Sequence, residues 1–170
     1  MSMEHKAFAF DWTSFDRDLR PILVNALQDA EPTHLVRFVD DNLDLLSDPY
    51  EGERLQPDWK TQLQNVHDVQ ELGDFALTRY YDPASDAGIG GAWLDLDGSI
   101  EKLRDKMLGQ SIGPPDNLFD PGRMGAYFQT PELVSELSVA VQRIEHPCFV
   151  DFRAMLQVAV ANGSGLYVTF

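Results

Sequence analysis

The sequence predicts one α+β domain spanning residues 1–170, in which helices pack on a small mixed sheet that includes the N- and C-terminal strands. A chain of 170 residues is close to the usual size of one domain, and its 44% hydrophobic share is typical of a globular protein. Apolar and polar residues alternate at both ends of the chain, whereas apolar residues recur at helical spacing through most of the rest. No repeat, low-complexity tract or linker divides the chain.

The first predicted elements are a strand and a helix. Residues 6–10 place Phe8 and Phe10 on one face, as in a half-buried strand. The apolar side of the helix that follows is formed by Phe15, Leu19, Ile22, Leu23, Ala26 and Leu27. Because Pro21 cannot lie inside a regular helix, this helix either kinks there or begins near Arg20.

The second predicted helix carries the most acidic surface of the chain. It begins at residues 31–33, and its apolar positions keep the 3.6-residue period: Leu35, Val39, Leu43 and Leu46. The opposite face carries Arg37, Asp40, Asp41, Asp44 and Asp48. Nine acidic and two basic residues between Asp29 and Asp58 give a local charge of −7, nearly half of the formal net charge of −15. We call residues 29–58 the acidic segment.

The middle of the chain predicts short helices joined by loops. Residues 57–81 predict one or two helices divided near Gly73, because glycine weakens a helix interior. Residues 82–91 then form a loop of small residues. Residues 92–94 predict a short strand or the start of a helix, and residues 99–108 predict a further helix. Residues 109–125 are rich in glycine and proline and form a long connection, a kind of segment that is commonly functional or mobile.

The last third predicts a strand, two helices and a closing strand. Residues 124–128 can form the first strand. Residues 130–132, Thr-Pro-Glu, are a strong helix start, because the hydroxyl can cap the helix and the proline and the acid both suit its first turn. The next helix runs from Phe149 to a stop at Gly163, where glycine can adopt the left-handed conformation. Residues 166–170 alternate and predict the final strand.

A family resemblance rests on this last third. The residues from Gly109 through Tyr127-Phe128-Gln129-Thr130-Pro131-Glu132-Leu133 to the strand after Gly163 resemble the YfbM-like family of small bacterial proteins of unknown function. The shared pattern is a glycine-containing loop, an aromatic pair, a Thr-Pro-Glu helix start and a terminal strand. The resemblance implies a bacterial α+β protein and brings no catalytic residue with it.

The net charge of −15 restricts the partners that the protein can have. Phosphate backbones and anionic membrane surfaces are repelled by such a charge, so neither nucleic acid nor a membrane is an expected partner. A basic protein or another cation is attracted, although the same charge also serves solubility alone. The oligomeric state is not indicated by the sequence.

Cysteine usage and the lack of targeting signals predict a cytoplasmic protein. Cys148 is the only cysteine, so no disulfide can form within the chain. Residues 1–12 include Glu4 and Asp11 and lack the apolar run of a signal peptide. No uncharged stretch approaches the roughly 20 residues that a membrane span requires.

Leu94-Asp95-Leu96-Asp97-Gly98-Ser99 resembles the first motif of haloacid-dehalogenase-like phosphatases. The resemblance implies that Asp95 attacks phosphorus, that Asp97 acts as acid and base, and that both hold Mg²⁺. That motif should end the first strand of a doubly wound sheet, whereas residues 88–93 are a poor strand and only 73 residues follow Asp97. An exposed turn capping the next helix is preferred, and a Mg²⁺-dependent phosphatase or other hydrolase is the alternative.

Three further patterns have ordinary structural interpretations. Residues 88–91 lack the spacing of a phosphate-binding glycine loop and favour a flexible turn. His146 and Cys148 place a base beside a thiol, but their apolar neighbours favour an inert cysteine packed in the core. The remaining histidines lack the close spacing of a zinc site: His5, His34 and His67. No metal or cofactor is therefore expected.

A group of aromatic and acidic residues near the loop at 82–91 has the composition of a recognition pocket: Tyr80, Tyr81, Asp82, Ser85, Asp86 and Trp93. The rim of a hydrophobic core has the same composition, because aromatic residues at helix ends most often pack.

The leading hypothesis is a non-catalytic protein-binding module. Its acidic second helix and the following loop would dock on a basic partner, as an immunity or inhibitor protein masks a basic toxin. The expected binding residues are Asp40, Asp41, Asp44, Asp48, Glu51 and Glu53, joined by Tyr80, Tyr81, Asp86 and Trp93. A third possibility is an adaptor or structural protein whose charge only maintains solubility.

Overall fold

The computed structural model describes residues 3–170, apart from the side chain of Ser99. In chain order, the strands and α-helices of these residues are β1 (Lys6–Phe10), α1 (Trp12–Asp18), α2 (Arg20–Asp29), α3 (Thr33–Asp41), α4 (Val69–Leu77), α5 (Gly98–Glu101), α6 (Arg104–Leu108), β2 (Ala126–Gln129), α7 (Pro131–Val141), α8 (Val150–Asn162) and β3 (Gly165–Thr169). Short 3-10 helices cover Leu43–Leu45, Trp59–Gln62, Gly91–Asp95 and Pro147–Phe149. The predicted α+β class is confirmed, and no helix in this part of the chain has the length and apolar character to cross a bilayer.

The sheet has three strands in the order β1-β3-β2, and both pairs are antiparallel. Thr169 of β3 lies opposite Lys6 on one side and Ala126 on the other. The prediction that the N- and C-terminal strands share one sheet is confirmed. The prediction of a mixed sheet is wrong, because β1 and β2 run in the same direction but are separated by β3, so no parallel neighbours occur within residues 3–170.

The described chain divides into two compact units. The sheet unit contains the residues up to Trp12, Ser85–Ser111 and Gly122–Phe170. In it α7 and α8 pack on each other, α8 contacts β1, and both helices contact β3. The buried core of this unit is formed by Ala7, Ile89, Trp93, Met107, Val134, Leu137, Val141, Phe149, Phe152, Leu156, Ala159, Leu166 and Val168.

The helical unit contains Thr13–Ala84 and Ile112–Pro121. Its helices α2, α3 and α4 contact one another pairwise. α4 runs unbroken through Gly73, so the alternative of two helices divided near this glycine is wrong. A side chain at Gly73 would collide with Leu23 and Phe119, each 2.8 Å from the Cβ position, so the glycine allows these two side chains to close on the helix.

Several predicted helix ends are confirmed by local contacts. Pro21 lies in the first turn of α2, which begins at Arg20. A start near Arg20 was one of the two predicted alternatives, the other being a kink at Pro21. The Thr130 side chain accepts a hydrogen bond from the backbone N–H of Leu133 at the start of α7. Gly163 follows α8 with a φ of +64°, the left-handed conformation that was expected there.

The second predicted helix is shorter than its apolar period suggests. α3 ends at Asp41, and a 3-10 turn at Leu43–Leu45 follows it. The Asn42 side-chain amide donates to the carbonyl of Phe38 at 2.7 Å, which satisfies a free carbonyl at the end of the helix. The buried face is nevertheless the predicted one, because Leu35, Val39 and Leu46 are fully buried.

Candidate functional site

The candidate site is the surface of the acidic segment, which lies in the helical unit. Asp40 and Asp41 at the end of α3, and Asp44 in the following turn, are exposed on the side opposite the buried leucines. The predicted amphipathic arrangement is therefore present even though the helix ends early.

The chain then folds back on itself as a short hairpin-like loop, residues 46–55, which we call the acidic loop. The N–H of Leu55 donates to the carbonyl of Leu46 at 3.1 Å, and the N–H of Asp48 donates to the carbonyl of Glu53 at 2.8 Å. Tyr50 and Glu51 lie at its tip. Backbone hydrogen bonds thus give this part of the surface a defined shape.

Two side chains hold the acidic loop in place. Asp48 Oδ1 accepts from the N–H groups of Tyr50 at 2.7 Å and Glu51 at 2.8 Å, so this half-buried carboxylate orders the turn. Thr78, at the end of α4, accepts from the N–H of Ser47 at 3.0 Å. The predicted binding residue Asp48 therefore has a structural role in the loop.

The carboxylates of the surface differ in their pairing. Asp40 accepts a hydrogen bond from Trp59 Nε1 at 2.9 Å and lies 3.2 Å from Lys60 Nζ, so its negative charge is already paired with a lysine of the same chain. Four of the other predicted binding residues are exposed acids, and no ion pair joins them to a lysine or arginine within residues 3–170: Asp41, Asp44, Glu51 and Glu53. These four carboxylates provide the negative charge that remains for a partner.

Two large apolar side chains are exposed in the same segment. Leu45 is 59% exposed and Tyr50 is 73% exposed. Such side chains among acids are the composition of a protein interface, in which an apolar or aromatic anchor is surrounded by polar groups. The helical period gave no indication of them, because Leu45 lies outside the predicted apolar stripe and Tyr50 lies in a turn.

A buried carboxyl group lies beneath the acidic loop and was missed by sequence reasoning. Asp74 on α4 is buried, and the Tyr50 hydroxyl donates a hydrogen bond to it. Burial raises the pKa of Asp74 to about 7, helped by the charges of Asp48 and Glu71, while the hydrogen bond from Tyr50 opposes the rise. The Tyr50 ring is largely exposed, but its hydroxyl is desolvated beside Asp74, and this desolvation and the charge of Asp74 raise the pKa of Tyr50 to about 12. The only signal was an acid inside the apolar run Leu72–Leu77.

Two of the aromatic residues predicted to form a recognition pocket are buried, each within its own unit. Tyr80 is buried in the helical unit, where its ring meets the edge of Phe15 with centroids 5.7 Å apart. Trp93 is buried in the sheet unit and stacks on His5 at 5.0 Å. Tyr81 is half-buried. The prediction that Tyr80 and Trp93 contact a partner is wrong, because both rings are buried.

Asp86, also predicted to bind, is exposed but structurally engaged. Its Oδ1 accepts from the N–H of Ala7 at 3.0 Å and from the N–H of Gly88 at 2.8 Å. The carboxylate therefore holds the turn at residues 86–88 against β1.

Asp95 and Asp97 stand where no strand leads into them. Asp95 ends the 3-10 helix Gly91–Asp95, Asp97 is the residue before α5, and both are exposed. The sheet is antiparallel and three-stranded, not the doubly wound sheet that the phosphatase motif requires. No group of three histidine, cysteine, aspartate or glutamate residues within 3–170 could hold a metal ion. The geometry gives the hydrolase alternative no support.

The remaining nucleophile and ligand candidates form no metal-holding group among the described residues. His146 Nδ1 lies 2.9 Å from Cys148 Sγ, and burial raises the pKa of this thiol, which disfavours the thiolate that a nucleophile needs. His34 and His67 are exposed. His5 is fully buried, burial lowers its pKa to about 4, and its Nδ1 accepts from the N–H of Ile89 at 3.2 Å.

Comparison of the chain with protein-family models, curated proteins and solved structures finds no match. The resemblance to the YfbM-like family therefore stays a prediction, and the case for a function rests on the geometry above.

Proposed function

We propose that this protein is a non-catalytic binding module whose acidic surface docks on a basic protein, in the manner of an immunity or inhibitor protein. The observation that carries the proposal is the exposure of four carboxylates without an ion pair in the described chain, Asp41, Asp44, Glu51 and Glu53, beside exposed Leu45 and Tyr50.

The charge and the apolar side chains would contribute in different ways. Exposed carboxylates speed the encounter with a basic partner and select it, and they add little affinity each because water and salt screen them. Aromatic anchors such as Tyr50 supply affinity once a partner pocket excludes water around them. The acidic loop is fixed by the hydrogen bonds of Asp48 within it and by that of Thr78, so little ordering opposes binding.

The proposal includes a cytoplasmic bacterial setting. Cys148 is a free thiol, which is compatible with a reducing compartment. The net charge of −15 argues against nucleic acid as the partner, because a phosphate backbone would be repelled.

The test is affinity capture with the wild-type protein and two charge-matched variants, followed by binding measurements on any protein retained. Asp41→Lys/Asp44→Lys reverses two acids of the proposed surface, and Glu101→Lys/Glu145→Lys reverses two exposed acids of the sheet unit. We expect the first variant to lose the partner, with association at least about tenfold slower at low salt, while the second keeps it. Identical capture by all three proteins would refute the acidic docking surface.

A further inference from the structure

A cleft of about 320 Å³ lies in the sheet unit where α6, α7 and the end of β2 meet. It is lined by Asp105, Lys106, Gly109, Gln110, Gln129, Leu133, Glu136 and Leu137. Its volume is at the lower end of the range for small-molecule sites, about 300–1,000 Å³, which fits a metabolite-sized molecule.

The Gln129 side chain is the distinctive polar group of this cleft. It is fully buried, and its Nε2 donates to the carbonyls of Lys106 at 2.9 Å and Met107 at 3.0 Å at the end of α6. Because only an NH₂ group can donate to two carbonyl oxygens, these contacts fix which end of the carboxamide is which. Oε1 is buried and accepts no hydrogen bond from the described residues. A buried carbonyl oxygen without a hydrogen-bond donor favours a ligand that donates a hydrogen bond to it.

The backbone is shaped to leave room for this carboxamide. Gly109 has a φ of +93°, and a side chain there would collide with the carbonyl of Phe128 and with Gln129 Cγ. The chain therefore passes close beside Gln129 only because residue 109 is glycine. The buried amide is thus a built feature of the cleft wall.

The charges and the apolar surface of the cleft define the rest of the ligand. Asp105 on α6 and Glu136 on α7 provide two exposed carboxylates against the single ammonium group of Lys106. Leu133 and Leu137 are four residues apart on one face of α7, and they give the cleft an apolar side. The lining therefore has an excess of negative charge next to an alkyl-binding surface.

We propose that this cleft binds a small organic cation, with a primary ammonium or guanidinium group donating an N–H to Gln129 Oε1. The carboxylates of Asp105 and Glu136 balance the positive charge, and the carbon chain of the ligand lies against Leu133 and Leu137. A carboxylate ligand is excluded, because it offers Oε1 no donor and is repelled by both acids. The site lies in the sheet unit and shares no residue with the acidic surface, so the two proposals stand or fall separately.

Three probes with the same carbon chain separate charge from hydrophobicity: n-hexylammonium, n-hexanol and n-hexanoate. Each is titrated into the full-length ¹⁵N-labelled protein, and the Gln129 side-chain NH₂ and the backbone amides of residues 105–110 and 133–137 are followed by NMR. We expect saturable shifts with hexylammonium at about millimolar Kd, binding of hexanol at least about fivefold weaker, and no saturable shift with hexanoate. Absence of a saturable shift with the amine, binding of hexanol within about fivefold of it, or saturable binding of hexanoate would overturn the proposal.

Two uncharged variants and a matched control locate the site. Asp105→Asn and Glu136→Gln alter exposed side chains, so folding should be retained, and each should weaken hexylammonium binding at least about threefold. Glu132→Gln removes a charge from the first turn of α7 outside the cleft lining and should leave the affinity unchanged. Unchanged affinity in both cleft variants, or an equal loss in the control, contradicts recognition of the cation at this cleft.

Discussion

The buried carboxyl group of Asp74 makes a specific prediction about stability and pH. Burial raises its pKa from the usual 3.8 to about 7, so the folded protein keeps a proton there that the unfolded chain releases near pH 3.8. A group whose pKa is raised by folding contributes stability that is complete below its unfolded pKa and is lost as the pH rises through its folded pKa. At about 1.4 kcal/mol per pH unit, the difference of about three units corresponds to about 4 kcal/mol above pH 7.

Asp74→Asn removes this titration while keeping the shape of the side chain, and its carbonyl oxygen can still accept from the Tyr50 hydroxyl. We expect the free energy of unfolding of the wild type to fall by about 3 kcal/mol relative to the variant between about pH 5 and pH 8. The lower limit stays above the isoelectric point of about 4.4, near which the protein would lose solubility.

The assay is urea unfolding followed by tryptophan fluorescence, since Trp12, Trp59 and Trp93 are buried. Comparing variant with wild type at each pH cancels the contributions of the other titrating groups. Asp116→Asn, at an exposed acid, is the control and should show the pH dependence of the wild type. Parallel stability curves for Asp74→Asn and the wild type from about pH 5 to pH 8 would refute a proton held on this side chain.

Three further substitutions test individual contacts. Asp40→Ala removes the acceptor of Trp59 Nε1 and should lower the free energy of unfolding by about 1–3 kcal/mol, measured in urea; no change would contradict this contact. Gly73→Ala should cost about 1–3 kcal/mol by overpacking, although alanine favours helices, so stabilisation in the same assay would argue against close packing there. Tyr50→Phe removes a hydrogen bond that lowers the pKa of Asp74, so an NMR titration of that carboxyl should show a higher pKa, and a lower one would exclude the contact.

Features fixed by neighbouring residues could be predicted from the sequence. The Thr130 cap and the stop at Gly163 depend on contacts within one helical turn, and the start of α2 at Arg20 was one of the two alternatives that Pro21 left open. The terminal strands were predicted from large apolar residues at alternate positions, although Ala7 and Tyr167 on the opposite faces are buried as well. The order and the antiparallel pairing of the strands were not, because they depend on which distant segments meet.

Features that depend on distant partners escaped prediction. Gly73 indicates a helix break until Leu23 and Phe119 are known to close on it. An aromatic residue near a glycine-rich loop has the same appearance in sequence whether it is exposed or, like Trp93, buried against His5.

The candidate site shows the same division. Exposure of the acids on α3 followed from the helical period. The hydrogen bond from Trp59 to Asp40, the hydrogen bonds of Asp48 within its own turn and the burial of Asp74 could not be predicted from that period.

The central place of β3 has a consequence for the order of events during synthesis. β1 and β2 both leave the ribosome before residues 165–169, yet each finds its sheet partner only in that segment. Until those five residues emerge, the edges of β1 and β2 that pair with β3 have no partner strand. The helices α2, α3 and α4, by contrast, can already pack on one another. Nascent chains stalled before residue 165 should therefore lack the three-stranded sheet.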